Sequence, residues 1–570
     1  MKGGEFVVPQ EKPADIFTVA DFDNDQRMVA EAIREFVQKK LLTKEAIRII
    51  ESKDFAFTKA LLFELGYLGF LGMDIPIEYG GAGLDKITSC IVTQEIARQG
   101  SFGCSFGAHT GIGCWPVIFF GNEQQKQKYL PRFASGELIS CYSLTEAGSG
   151  SDAGSAATKA VLSPDGRYFI LNGEKIFVTN GGFADVLILF AQTSNAGLTA
   201  FIVEKSFQGV STGKEESKMG IHGSSTATIV LDNAMVPVEN LLGEPGQGLK
   251  IALNVLNLGR FKLGAGCLGA AQLCFETALN YARQRKQFGK PIIEFGLVKE
   301  KLVGMAAKIF AMNAVIYRTA QLLEESVSKA DAGNPKEVLK AIEEYAIECS
   351  IVKVFCSEAL GQITDQEVQI LGGYGYCEEY PAARHYRDAR INRIFEGTNE
   401  INRLVILQML VKKAMVGKLA LFPLIKKFQA EMAGPIQAVE SSNLVQEFFF
   451  RLNNAKKIIL LASEANLQKY SQALEEHQIV ISLMSDSVID IFILDSALAA
   501  YAKAPSEKNE GFLKLLFADT LPDLRIRSEN LFACCLEGDE LKTTLAMTKK
   551  FFRIAPPNIE VLINSIVQKL

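Results

Sequence analysis

The sequence predicts an α+β protein, mainly helical, in which helices and strands occupy separate stretches of the chain. Three observations carry this. From Asp25 to about Tyr129 apolar residues recur at helical spacing, with Val29, Ile33, Phe36 and Val37 on one face and charges opposite. From near Ser140 to about Leu242 the texture becomes short runs rich in Val, Ile, Thr and Phe, parted by turn signals such as Ser163-Pro164-Asp165-Gly166 and Asn180-Gly181-Gly182. Helical spacing then returns at Gly248 and continues past Ala414, with Leu302, Met305, Ile309, Met312 and Ile316 as an apolar stripe. Blocks of this kind give segregated layers rather than alternating βαβ units.

Taken in order, residues 1–139 read as an N-terminal helical domain, interrupted by the glycine-rich stretch Glu78-Tyr79-Gly80-Gly81-Ala82-Gly83. Residues 140–245 read as a central β domain, in which Val186–Phe190, Ala200–Val203 and Ala227–Leu231 are strands. Residues 246–415 form a second helical domain. A break at Ala433-Gly434-Pro435 separates an extra helical block, residues 430–570. A chain of 570 residues exceeds one ordinary core, so two to four domains are expected.

Composition narrows the function. Hydrophobic residues at 48% and charged residues at 22% describe a soluble globular protein and leave no room for wholesale disorder. A net charge of −5 argues against nucleic acid as a partner, which requires a basic face. No apolar run is long enough to cross a bilayer, and the start Met1-Lys2-Gly3-Gly4-Glu5 lacks signal-peptide and transit-peptide character. The compartment expected is the cytoplasm. The eleven cysteines include no CxxC pair and the histidines His109, His222, His385 and His477 are far apart, so no metal site is expected.

Two glycine-rich segments, Thr145–Asp152 and Gln369–Tyr376, suit close approach of backbone N–H groups to a phosphate or a ring. Neither is a G-x-G-x-x-G turn in a βαβ unit, which excludes the usual nicotinamide fingerprint; as plain surface loops they would carry no chemistry. Lys175–Gly182 is a strand running into a turn, and Arg285–Lys290 by itself reads as a solvated helix end. In Arg393–Glu400 the acid Glu396 sits between Phe395 and Gly397, an unusual place for a solubilising carboxylate. Burial there would raise its pKa and equip it as a base.

Together these segments resemble the acyl-CoA dehydrogenase family over roughly Asp25 to Leu410. The signatures Y-x-L-T-E…G-S-D, N-G-G after an aromatic-containing strand, R-x-x-F-G, Q-x-x-G-G-x-G-Y and E-G-T-N-E-I follow one another in the family's order. The resemblance implies an N-terminal helical domain, a central β domain and a C-terminal four-helix bundle, with FAD between the last two. It implies that Tyr142, Leu144, Thr145 and Ser151 line one side of the flavin, and Phe177, Val178 and Thr179 the other. Most relatives carry Trp where this chain has Phe177, which keeps an aromatic surface without the indole N–H. Arg285 and Phe288 match residues that reach the FAD of a partner subunit, Gln369, Gly372 and Gly373 the adenosine end, and Thr398 and Glu400 further cofactor contacts. A homodimer or larger assembly follows from that sharing.

By the same resemblance Glu396 is the base that removes the C2 proton of an acyl-CoA thioester while hydride leaves C3 for the flavin. A minority of relatives place the base just before the arginine matching Arg260; that slot here is Gly259. Asn257 and Arg260 match positions on the substrate side, near CoA. Gly103 and Gly107, with Ser151, match substrate-lining slots, and glycine at 103 and 107 implies a deep pocket for long acyl chains unless it serves only helix packing. The extra C-terminal block is similar to that of the very-long-chain subgroup. Lys412, Lys413, Lys418, Lys426 and Lys427 among Leu and Phe suit either peripheral membrane contact or an ordinary solvated linker. The resemblance implies electron-transferring flavoprotein as acceptor. An acyl-CoA oxidase using oxygen and a non-catalytic scaffold are the rival readings.

Overall fold

Asp23 begins the first helix. Its carboxylate accepts from Gln26 N at 2.8 Å while the Gln26 side chain bonds back to Asp23 N, a reciprocal cap. In this computed structural model, which describes all residues except 195, 332–333, 433–442 and 553–555, the N-terminal domain consists of α1 (Asn24–Phe36), α2 (Lys44–Glu51), α3 (Phe55–Tyr67), α4 (Lys86–Ile96), α5 (Gly100–Gly107), α6 (Trp115–Phe120) and α7 (Glu123–Ser135). The stripe on α1 is buried as its spacing requires, with Ile33, Phe36 and Val37 packed against Leu62, Val92 and Phe102.

The central domain is one eight-stranded sheet. Its strands are β1 (Ser140–Ser143), β2 (Lys159–Leu162), β3 (Tyr168–Thr179), β4 (Val186–Thr193), β5 (Gly197–Glu204), β6 (Val210–Glu215), β7 (Thr226–Pro237) and β8 (Leu241–Leu242). The order is β6-β7-β3-β2-β4-β5-β8, with β1 pairing β4 in parallel so that Ser140 lies opposite Val186. Both faces are covered. Val186, Ile188 and Phe190 of β4 pack with Tyr129, Leu130 and Phe133 of α7, whereas Leu187, Leu189 and Ala191 pack with Ile229 and Val236 of β7. That explains the continuous apolar run that the sequence shows in β4.

The second helical domain contains α8 (Gly248–Gln284), a β9–β10 hairpin (Lys286–Gln287 and Lys290–Pro291), α9 (Gly296–Val327), α10 (Pro335–Glu343), α11 (Ala346–Leu371), α12 (Gly373–Tyr376), α13 (Pro381–Arg390) and α14 (Asn399–Met415). Helix α8 is the axis of the molecule, packing on α4, α9 and α11. Its approach to α4 is close enough that a Cβ on Gly269 would stand 1.7 Å from the Gln94 carbonyl oxygen.

Beyond it lie α15 (Leu421–Met432), α16 (Leu444–Tyr470), α17 (Gln478–Lys503), α18 (Glu507–Cys535), α19 (Gly538–Phe551) and α20 (Ile559–Val567). Helices α15 to α18 share one continuous core with α8, α9 and α11, and α20 packs Ile563 and Ile566 against α9 and α18 in a smaller cluster. A buried ion triad fastens them: Asp495 of α17 meets Arg318 of α9 at 2.8 Å and Lys456 of α16 at 2.6 Å. The break at Ala433-Gly434-Pro435 lies outside the described residues. Among the described residues no helix is long and apolar enough to cross a membrane. The stripe Leu421, Ile425 and Phe428 of α15 is buried, and Lys413 is buried against Glu344 at 2.8 Å, so the segment read as a candidate lipid surface turns its apolar face and one of its cations inward.

Candidate active site

Glu396 stands on two successive left-handed residues, φ 60° at Glu396 itself and 78° at Gly397. An acid held there is strained, and the surroundings over-determine the turn. Thr398 caps α14 by accepting from Ile401 N at 3.3 Å, and Asn402 Nδ2 donates to the carbonyls of Gly397 and Thr398 at 2.9 and 3.0 Å. From α8, Arg260 Nε points to the Glu396 carbonyl at 3.5 Å while its Nη1 donates to Asn257 Oδ1 at 3.1 Å. Asn257 and Arg260, expected beside CoA, are thus both buried and brace the loop that carries the acid.

The Glu396 carboxylate has a shielded Oε2 with no hydrogen-bond partner among the described residues. Burial pushes its pKa up to about 7, opposed by the charges of Arg260 and Lys353. A Cβ on Gly259 would come within 2.5 Å of that Oε2. Positions 259 and 396 therefore address the same space, and here the carboxylate enters it from 396.

In front of Glu396 lies a cavity that, together with its open mouth, holds about 1250 Å³. One face of α8 runs along it, Gly259, Leu263, Gly266, Ala270 and Cys274 among the lining residues. Fifteen residues separate the first from the last, about 22 Å at about 1.5 Å per residue. Gly103 and Gly107 of α5 also line it. A Cβ on Gly107 would meet nothing within 4 Å, so this glycine opens space, whereas one on Gly103 would stand 2.8 Å from Ala97 Cα, so that glycine also serves helix packing.

The β-domain wall faces Glu396 with Thr179, which lines the cavity, and with Tyr142, whose buried hydroxyl has no partner. Burial, then the nearby Glu396 charge, holds that hydroxyl's pKa well above its ordinary value. Val178 is buried, while Phe177 is 61% exposed at φ 56°. Leu144 is buried and its carbonyl accepts from Lys175 Nζ at 3.1 Å; Thr145 accepts from Ile176 N at 2.9 Å; Ser151 is exposed on the loop beyond. A flat ring system fits this wall: an unpaired buried hydroxyl, an exposed aromatic on a strained backbone, and Gly148 and Gly150 with open space where side chains would be.

The remaining predicted contacts gather elsewhere. Arg285 lies over the Tyr374 ring at 5.6 Å, beside the exposed Gln369, Gly372 and Gly373, and Phe288 is 93% exposed on the β9–β10 hairpin. Arg285 follows Gly259 by 26 residues on one helix, about 39 Å away. Thr398 stays at the Glu396 loop, and Glu400 is exposed in the first turn of α14.

Several contributors escape sequence reasoning. Lys353 of α11 donates to Asn399 Oδ1 at 2.6 Å, and Asn399 donates to Glu358 Oε1 at 2.9 Å, stiffening the turn from behind. A lone lysine in the apolar run Ser350–Cys356 is the signal that could have found it, since a buried cation needs a partner. Lys175 and Glu146 form a buried pair at 2.5 Å that locks β3 to the loop after β1. Cys274, Glu367 and His385, far apart in sequence, are brought by α8, α11 and α13 to within 4.8 Å of one another, all buried.

A helical–sheet–helical molecule with a desolvated carboxylate at the head of a long apolar cavity defines an enzyme class built to take a weakly acidic proton from a substrate with a hydrocarbon tail. Models of the acyl-CoA dehydrogenase N-terminal, middle and C-terminal domains match residues 23–137, 141–234 and 246–411, and a further acyl-CoA dehydrogenase C-terminal model matches 454–550. The chain belongs to the acyl-CoA dehydrogenase family. A probable acyl-CoA dehydrogenase of Bacillus subtilis (strain 168) is 42% identical over 568 residues, covering 98% of this chain and 95% of its own. The structure of an acyl-CoA dehydrogenase complexed with FAD from Bacillus anthracis superposes with a TM-score of 0.97 at 41% identity, covering 100% of this chain and 98% of that one. The mitochondrial short-chain specific acyl-CoA dehydrogenase of Homo sapiens is 38% identical over 396 residues, 69% of this chain and 91% of its own. These likenesses do not by themselves single out the very-long-chain subgroup.

Proposed function

We propose that the chain is an FAD-dependent dehydrogenase of the very-long-chain type, which oxidises long-chain acyl-CoA thioesters to trans-2-enoyl-CoA in fatty acid β-oxidation. The observation that carries this is the free, desolvated Oε2 of Glu396 at the head of a cavity about 22 Å long. With bonds of about 1.52 Å and near-tetrahedral angles, an extended hydrocarbon advances about 1.25 Å per carbon, so that length holds about 16 to 18 carbons.

Glu396 takes the C2 proton onto Oε2. Its raised pKa brings it close to the acidity it must match, and the braced left-handed turn keeps the carboxylate aimed. The buried side chains of Asn257 and Arg260 hold the loop so that its backbone stays fixed while the thioester oxygen gains charge. Bound FAD supplies the hydride acceptor for C3. Tyr142, Leu144, Thr145 and Ser151 with Phe177, Val178 and Thr179 would hold its ring. Arg285, Phe288, Gln369, Gly372 and Gly373 would hold the phosphate and adenosine end of a partner's FAD, because about 39 Å separates Arg285 from Gly259 on one helix. A homodimer follows, with electron-transferring flavoprotein as the acceptor.

Anaerobic titration of the holoprotein with acyl-CoAs of graded length tests this. The flavin should bleach best with chains of about 16 carbons, and Glu396→Gln should keep FAD and abolish bleaching. Bleaching best with butanoyl-CoA would remove the long-chain reading, and a protein that cannot be loaded with FAD would remove the enzyme reading. Hydrogen peroxide produced at the rate of turnover would favour an oxidase.

A further inference from the structure

The deep end of the cavity is polar. Its α8 wall is apolar through Leu263, Gly266 and Ala270, but it closes on Cys274, Thr364, His385 and Asp388. His385 is 8% exposed, and its Nδ1 lies 3.0 and 3.1 Å from the two carboxylate oxygens of the fully buried Glu367. Nδ1–H therefore donates to Glu367, which fixes the ring and leaves Nε2 over. That Nε2 is buried with no partner among the described residues.

From this arrangement we infer a recognition site, at the end of the cavity far from Glu396, for a hydroxyl group carried near the ω-carbon of the acyl chain. The inference rests on the long-chain reading above, since only a chain of about 16 carbons spans the distance from Glu396. A methyl end would leave Nε2 dry and unpaired, whereas a hydroxyl satisfies it whichever way the ring is protonated, donating to the lone pair or accepting from N–H. The three groups Cys274, Glu367 and His385 are bonded to one another rather than splayed around an open centre. Both Glu367 oxygens are taken by His385, and burial followed by the Glu367 charge keeps the Cys274 thiol's pKa well above its ordinary value.

The test compares kcat/KM of the holoenzyme for 16-hydroxyhexadecanoyl-CoA and hexadecanoyl-CoA, with 12-hydroxydodecanoyl-CoA and dodecanoyl-CoA as the pair too short to reach. The 16-carbon hydroxyacyl substrate should exceed its parent on the order of five- to tenfold, the worth of one buried hydrogen bond, and the shorter pair should show no such preference. His385→Phe should abolish the preference between the two 16-carbon substrates. Because that change strands Glu367, the combined variant His385→Phe with Glu367→Leu repeats the test in an uncharged pocket. An equal or lower rate with the hydroxyl, a preference that survives in both variants, or stoichiometric zinc retained after dialysis would overturn the site. Failure of both 16-carbon substrates while shorter ones react would overturn the long-chain reading and this site with it. Good turnover of hexadecanoyl-CoA without a hydroxyl preference would overturn the site alone.

Discussion

At the scale of the residue, the proposed chemistry rests on where one carboxylate titrates. Burial raises Glu396 to about 7, and Lys353 and Arg260 hold it from going higher. The base works deprotonated, so kcat/KM should be full above pH 8 and fall as pH drops through about 7. Removing one cation shifts the balance further. Lys353→Met should move the acidic limb of the profile upward and lower kcat/KM at pH 6 several-fold, with a much smaller effect at pH 9, as pH–rate measurements would show. An unmoved limb would mean that Lys353 serves only to hold Asn399. Glu396 itself was legible because its neighbours form a motif. Lys353 was not, because its partner Asn399 lies 46 residues away and only the packing of α11 on α14 joins them.

At the scale of the element, α8 combines three tasks in one helix. One face lines the cavity, glycines admit its neighbours, and Arg260 reaches the Glu396 loop. Gly269→Ala would drive a Cβ to within 1.7 Å of the Gln94 carbonyl, a backbone atom that cannot rotate away. The cost should be about 3 kcal/mol or more, read as a lowered denaturant midpoint. Gly107→Ala meets open space and should leave stability nearly unchanged. The sequence showed the elements themselves well. The α1 stripe, the β4 run and the apolar face of α9 all carry the period of the structure they adopt. It did not show which glycines are contacts and which are openings, since Gly103 and Gly107 look alike until α4 is placed beside them. Nor did it show that Cys274, Glu367 and His385 meet, because each belongs to a separate helix and spacing within one helix says nothing of its neighbours.

At the scale of the whole molecule, the proposed cofactor contacts fall into two groups too far apart to serve one flavin. If each site draws Glu396 from one copy and Arg285 from the other, two inactive variants should rescue each other. Glu396→Gln and Arg285→Glu, each inactive alone, should regain about one quarter of wild-type activity when unfolded and refolded together, because half of randomly paired dimers hold one intact site. No regained activity, with mixed dimers verified by mass, would place both residues in the same site.

The triad of Arg318, Asp495 and Lys456 bears on the chain's history as well as its stability. A tail that merely rode on a three-domain enzyme could be cut away and leave the rest intact. Here the cut would remove both partners of Arg318 and lay bare the apolar α9 and α14 faces that now lie in the shared core. Deleting residues 433–570 should therefore yield an insoluble product, and the full chain should melt in one calorimetric peak rather than two. The last quarter of the chain is thus built into the same core as α9 and α14 and is not a detachable accessory.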